Sequence, residues 1–270
     1  MDDCGSTEAL PPMRPEGPGL PVPAHIELDL SSFRRVLAVS DVHGEYGQLQ
    51  RRLDEMDYDD RRDALIIDGD LVDRGPESME ALAWRKRRNV HCGLGNHDLM
   101  PQMFLDGDAQ LEDIREWGGQ WFIDLDEDER RRVAALLRDA PVAMTVRTPV
   151  GRTVGFVHAD CPQDWDSLID ILENPRDYRF ARTVNDCLWS RNTIVELLNA
   201  VGTEDGPPRP YSCRMENIDH VFHGHTTIMR AFAHHDRTWM DTGACFPGGR
   251  LTVIDVDQWL DDIDRNSPFV

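Results

Sequence analysis

At 270 residues the chain can bury the core of one large α/β domain, and no Pro/Gly-rich linker divides its middle. A formal charge of −21, from 50 acidic against 29 basic residues, disfavours a nucleic-acid or anionic-membrane partner, since either needs a basic stripe. Small anionic substrates stay open, because bound cations reverse the local sign inside a cleft.

The 6 cysteines include no Cys-x-x-Cys pair, so neither a thiolate zinc site nor a disulfide framework is expected. The start lacks the basic region and apolar run of a signal peptide, and no apolar stretch reaches the ~18 residues that span a bilayer. The cytoplasm is the default location.

Residues 1–25 are rich in Pro and Gly and poor in large apolar groups, which predicts a tail, with 26–270 forming one catalytic domain. Val36–Ser40 reads as a buried parallel strand and Glu45–Met56 as a helix. Ala64–Ile67 is a second strand, followed by a helix over Glu77–Arg88; Val90–Leu94 is a third, again followed by a helix. This order predicts a βαβαβ core with parallel strands and right-handed crossovers. The acidic stretch 106–140 reads as helical, with Trp117 and Trp121 four apart on one face as packing residues. Strands are expected again at Val142–Val146 and Val154–Val157, helices over 164–173 and after Arg191, and a Gly/Pro-rich loop at 202–210. The last part reads as β, over Asp219–Phe222, Ile228–Phe232, Thr238–Met240 and Leu251–Val256.

One arrangement recurs: an apolar run stops and metal-competent side chains follow at once. Asp41-x-His43 follows the first strand, Asp70 the second and Asn96-His97-Asp98 the third; His158 and His223-Gly224-His225 close later runs. In open α/β sheets ligands bind outside the carboxyl ends of the strands, so groups remote in sequence can meet there. The oxygen and imidazole donors, without sulfur, suit Mn²⁺, Fe²⁺ or Zn²⁺ in an open catalytic site. A carboxylate lying between two such clusters can bridge two ions ~3.5–4 Å apart. His25, in the expected tail, and His91, His220, His234 and His235 show no partner pattern; either His223 or His225 fits a ligand by spacing.

The segments Ser40-Asp41-Val42-His43-Gly44, Gly69-Asp70-Leu71-Val72-Asp73-Arg74-Gly75, Gly95-Asn96-His97-Asp98, His158-Ala159 and Gly224-His225-Thr226 resemble the metallophosphoesterase superfamily, and within it the PPP-type phosphoprotein phosphatases. Leu188-Trp189-Ser190-Arg191 and Asp241-Thr242-Gly243-Ala244 are similar to the bacteriophage lambda phosphatase and its bacterial relatives. The resemblance implies an α/β fold of two packed mixed sheets flanked by helices, and a phosphatase holding two divalent cations, with Mn²⁺ expected and Fe or Zn compatible. It assigns Asp41 and His43 to the first ion, Asp70 to a bridge, and Asn96, His158 and His225 to the second. Arg74 and Arg191 are implied to hold phosphate oxygens, and His97, oriented by Asp73, to protonate the leaving group. Asp98 is expected as a cap or supporting residue.

Three functions follow as alternatives. A phosphorylated protein is the first substrate expected. The Leu94-Gly95-Asn96-His97-Asp98 string is also similar to symmetrical diadenosine-tetraphosphate hydrolases, which keeps a small phosphoester open. A non-catalytic scaffold is expected to have lost a ligand or the Asp73-Arg74 pair, and both are present.

Overall fold

The computed structural model describes residues 24–201 and 213–266. The chain begins with β1 (His25–Asp29), β2 (Arg35–Val39), α1 (Tyr46–Glu55) and β3 (Asp63–Asp68). A 3-10 turn at Ser78–Glu80 leads into α2 (Ala81–Trp84), then β4 (Val90–Gly93) and α3 (Asn96–Asp106). An all-helical stretch follows: α4 (Leu111–Glu116), α5 (Gln120–Ile123) and α6 (Glu127–Arg138). Next come β5 (Ala143–Arg147), β6 (Thr153–Val157), α7 (Trp165–Leu172), α8 (Phe180–Trp189) and α9 (Asn192–Val201). The chain closes with β7 (His220–His223), β8 (Phe232–His234), β9 (Arg237–Trp239), β10 (Ile254–Asp255) and α10 (Val256–Asn266).

Two mixed sheets pack face to face. One has the order β10-β2-β3-β4, with β2, β3 and β4 parallel; the other runs β1-β5-β6-β7-β9-β8. Side chains alternate along each strand, which divides the core in two. Val36, Ala38, Ala64 and Ile66 face Met144, Val146, Phe156 and Phe222 between the sheets. Leu37, Val39, Leu65 and Ile67 point the other way, into a core shared with Leu49 and Leu53 of α1 and Leu99 and Met103 of α3. Strands buried on both faces explain the continuous apolar runs in the sequence.

Several elements differ from expectation. Residues 1–23 of the expected tail lie outside the described residues, as does the expected loop at 202–210. His25, assigned to that tail, is instead the buried first residue of β1, paired in parallel with Ala143 of β5; its Nε2 is 2.8 Å from Thr145 Oγ1. The partner strand is remote in sequence, so no local pattern announces β1. The expected helix over Glu77–Arg88 shrinks to the 3-10 turn and the short α2. Trp117 and Trp121 do not share a helix, because Gly118 (φ +89°) ends α4 and Trp121 belongs to α5. Ile228–Ala231 is not strand, and the expected Leu251–Val256 strand reduces to Ile254–Asp255 before α10, whose Val256 and Leu260 pack between the sheets.

Candidate metal centre

The groups that follow β2, β3, β4, β6 and β7 converge at one end of the sheets. Their loops interlock so closely that side chains are excluded at particular glycines. A Cβ on Gly95 would stand 2.1 Å from the backbone nitrogen of Asp70, and one on Gly224 2.1 Å from Asp41 Oδ2. Backbone strain accompanies this packing: Asp41, His43, Asp70, Asp73, Arg74 and His225 all have φ between +44° and +72°. Left-handed backbone at non-glycine residues costs about 1–3 kcal/mol each and persists where surrounding structure imposes it.

Asp70 stands at the centre. Its Oδ2 is 3.4 Å from His43 Nε2 and its Oδ1 3.4 Å from His158 Nε2. Two sets of ligand atoms, each within 4.8 Å of one another, share this carboxylate: His43, Asp70 and His97 in one, Asp70, His158 and His225 in the other. Asp41 is in neither set; its carboxylate accepts the backbone N–H of His225, at 3.0 Å to Oδ2. Asn96 Oδ1 lies 3.1 Å from His158 Nε2 and 3.0 Å from His225 Nδ1.

The imidazoles are oriented through their other nitrogens. His43 Nδ1 donates to the Val72 carbonyl at 2.8 Å and His158 Nδ1 to the Asp68 carbonyl at 3.0 Å, which turns both Nε2 atoms toward Asp70. His225 Nε2 donates to the Trp189 carbonyl at 3.1 Å. Burial, aided by His158 and Arg191, lowers His225 well below its ordinary pKa, so the ring is neutral and its Nδ1 keeps a lone pair. That lone pair faces the oxygen of Asn96, an approach of two acceptors that a shared cation makes attractive.

The carboxylates are pushed in opposite directions. Burial, reinforced by Asp241, drives Asp41 well above the usual carboxylate range. Burial works the same way on Asp70, yet the imidazoles of His158 and His97 hold it well below that range. Burial would lower His158, but Asp70, followed by Asp41 and Asp68, raises it to about 10. Burial, with a smaller push from the charge of Asp70, raises Asp68 to about 7 against the pull of His158, and its Oδ2 has no hydrogen-bond partner. Buried oxygen and imidazole donors gathered around one shared carboxylate fit a pair of divalent cations.

Beside this cluster, His97 Nδ1 donates to Asp73 Oδ2 at 2.8 Å. Arg74 donates to Nε2 of His97 at 2.9 Å and of His43 at 2.8 Å, while its guanidinium lies 5.4 Å from the Phe246 ring centroid. Arg191 is exposed at the start of α9, within electrostatic reach of His225. His223 points away from the cluster, its Nδ1 on the Val157 carbonyl at 2.8 Å and its Nε2 facing Arg237 at 3.2 Å. Asp98 accepts from the N–H groups of Gly95 and Leu71, both at 3.0 Å, so it caps α3 and ties it to the Asp70 loop.

Two contributors escape sequence reasoning. Trp121 Nε1 donates to Asp73 Oδ1 at 2.7 Å, and the Gly118 carbonyl accepts the Arg74 N–H at 3.2 Å. The acidic helical stretch thus holds the Asp73-Arg74 turn from outside. Asp241, whose charge bears on Asp41, is itself held by Thr227 Oγ1 at 2.7 Å and the Gly243 N–H at 2.8 Å. Its Asp-Thr-Gly-Ala string was the available signal.

A family model for the calcineurin-like phosphoesterases matches residues 34–229. The chain is 30% identical over 235 residues to serine/threonine-protein phosphatase 1 of Salmonella typhimurium, covering 84% of this chain and 94% of that protein. It is 29% identical over 177 residues to a symmetrical bis(5'-nucleosyl)-tetraphosphatase of Coxiella burnetii, 65% of this chain and 56% of that protein. A solved serine/threonine phosphatase from Saccharomyces cerevisiae, similar to human phosphatase PP5, superposes with a TM-score of 0.53 at 13% identity and shares the fold. That match covers 86% of this chain and 83% of the other. The chain therefore belongs to the calcineurin-like phosphoesterase family and is a metal-dependent phosphatase of a family built around a dinuclear metal centre. Among the described residues no helix is long and apolar enough to cross a membrane.

Proposed function

We propose that this chain is a protein serine/threonine phosphatase that acts in the cytoplasm with two Mn²⁺ ions, through a single catalytic domain that takes in β1 from His25. The observation that carries the reading is Asp70, the one carboxylate common to both ligand clusters. Asp41, His43 and Asp70 would hold the first ion; Asp70, Asn96, His158 and His225 would hold the second. Mn²⁺ is favoured over softer ions by the oxygen-rich, sulfur-free donors, with Fe²⁺ or Zn²⁺ also compatible. When bound, such a pair supplies hydroxide at neutral pH and neutralises charge on phosphate oxygens.

The protein's own groups do the rest. Arg74 and Arg191 offer guanidinium forks to the phosphate oxygens. As Arg74 turns to the phosphate it leaves His97 Nε2, which then faces the leaving oxygen. Once freed, His97 Nε2 takes up a proton from solvent and passes it to that oxygen, while Asp73, at 2.8 Å from Nδ1, fixes the ring. Trp121 holds the second oxygen of Asp73, so the carboxylate cannot rotate away.

A phosphoprotein substrate is supported by the Gly69–Gly75 string with its Asp73-Arg74 pair and by near full-length similarity to a bacterial relative named for that activity. A dinucleoside polyphosphate is the second reading, favoured by Leu94–Asp98 and by the shorter match to the Coxiella protein. The deciding experiment compares kcat/KM of the Mn²⁺-loaded protein on a phosphothreonine peptide and on diadenosine tetraphosphate. Preference for the peptide is expected; preference for the dinucleotide reverses the assignment.

A further inference from the structure

Away from Asp70, at the β8 edge of the six-stranded sheet, one thiol and two imidazoles come together. The ligand atoms of Cys213, His234 and His235 all lie within 4.8 Å of one another. Sequence spacing hides this group, since the cysteine has no neighbouring cysteine and the histidines are adjacent to each other.

The adjacency is itself unusual. Successive residues of a strand point to opposite faces, so two neighbouring histidines should diverge. They converge because the hairpin turns between them: His234 is the last residue of β8, paired with Arg237, and His235-Asp236 form a two-residue turn. His235 has φ +50°, at the position where such turns favour glycine, asparagine or aspartate. The left-handed backbone brings the second ring beside the first, with centroids 4.3 Å apart at 47°. A histidine kept where a glycine would relieve the turn is a local rule broken, which is the pattern of a functional position.

The third group is fixed independently. The Cys213 carbonyl accepts from Arg237 Nε at 3.3 Å, and buried Arg237 is anchored to the Cys161 carbonyl at 2.9 Å and Asp160 at 3.4 Å. The Cys213 N–H donates to His235 Nδ1 at 3.3 Å, and Asp236 Oδ2 accepts the Met215 N–H at 3.1 Å. The chain at residue 213 and the hairpin are therefore already joined, one of these bonds using His235 Nδ1, and Cys213 Sγ lies 3.3 Å from the His234 carbonyl.

We propose that Cys213, His234 and His235 bind a single Zn²⁺, with water as the fourth ligand, and so fasten the chain at residue 213 to the β8–β9 hairpin. One thiolate with two imidazoles is a borderline-soft donor set, suited to Zn²⁺ rather than to Mn²⁺. Tetrahedral Zn²⁺ holds its ligand atoms about 3.5 Å apart, so the three side chains would close up from within 4.8 Å when it binds. Burial raises the Cys213 thiol to about 11, so the thiol keeps its proton until an ion displaces it. Burial, with His234 and Arg214, lowers His235, leaving a neutral ring able to ligate.

The test is a Co²⁺ titration of the full-length protein, reduced and stripped of metal. Thiolate-bound Co²⁺ absorbs strongly in the near ultraviolet by sulfur-to-metal charge transfer, and the donors around Asp70 contain no sulfur. The band should saturate at one ion per chain, vanish on adding equimolar Zn²⁺, be absent in Cys213→Ser and survive in Asp70→Asn. His235→Ala keeps the thiol and should weaken the Co²⁺ binding read at this band by about tenfold or more. A wild-type protein without the band overturns the proposal, as does a band that persists in Cys213→Ser. Should that variant not fold, unchanged affinity in His235→Ala overturns it as well.

Discussion

Where β2 and β3 begin, at the N-terminal end of the four-stranded sheet, Arg34 and Arg35 converge on the buried carboxylate of Asp63. Arg34 donates from Nε at 2.7 Å and from its terminal nitrogen at 2.5 Å, Arg35 donates at 3.2 Å, and the Asp59 N–H completes the shell at 3.0 Å. Past the C-terminal ends of the same strands, Asp41 and Asp70 are buried near a third acid, Asp241, on backbone that is left-handed at non-glycine residues. Buried Asp68 Oδ2 and Ser40 Oγ have no hydrogen-bond partner there. At the first end the buried carboxylate is met by two guanidinium groups, although Arg35 Nε is left without a partner, and this pairing stabilises the fold. The other concentrates strain and like charge, which fold stability alone would select against and which a pair of cations would offset. An arginine-rich cleft of about 810 Å³, lined by Arg34, Arg61, Arg62 and Arg88, also opens at that end, so a cleft by itself does not mark the chemistry.

The contrast breaks if substitutions at the two ends act alike. The largest effect is expected at Asp70: Asp70→Asn should lower kcat by about 10⁴-fold, while circular dichroism stays that of the folded protein. Next comes His97→Asn, expected to lose about 10²–10³-fold in kcat on an alkyl phosphate and far less on p-nitrophenyl phosphate, whose leaving group needs no proton. Equal losses on both substrates would remove His97 from the acid role.

At the other end the sign changes from activity to stability. Asp63→Asn should cost about 3 kcal/mol in urea denaturation at pH 7, with turnover at 25 °C unaffected. Although burial opposes it, the hydrogen bonds from Arg34, Asp59 and Arg35 hold Asp63 below the usual carboxylate range. A depressed folded pKa means the contribution is full above the unfolded value near 3.9 and is lost as pH falls through the folded one. The gap between wild type and Asp63→Asn should therefore narrow below about pH 4. The smallest effect is expected at Trp121, where loss of the indole bond to Asp73 is worth about 0.5–1.5 kcal/mol. Trp121→Phe should lower kcat on alkyl phosphates by about 3–10-fold, leaving KM unchanged.

Much of the cluster around Asp70 was legible in the sequence, because each candidate ligand directly follows an apolar run and parallel strands place such positions together. Asp70 was legible in that way, and so were His158 and Asn96. What was hidden depends on contacts remote in sequence. β1 exists only because Ala143–Arg147 pairs with it, and Trp121 reaches Asp73 only because Gly118 and Gly119 turn the chain between α4 and α5. The shortened helix after Ser78 and the replacement of an expected strand by α10 are cases where tertiary packing overrode the local pattern.

The central claim is that Asp70 serves two ions at once, and electron paramagnetic resonance of the Mn²⁺-loaded protein tests it most directly. Wild type should give the multiline spectrum of an exchange-coupled pair, collapsing to isolated-ion signals in Asp70→Asn. Isolated-ion signals from the wild type, or a coupled pair that survives the substitution, would contradict the account.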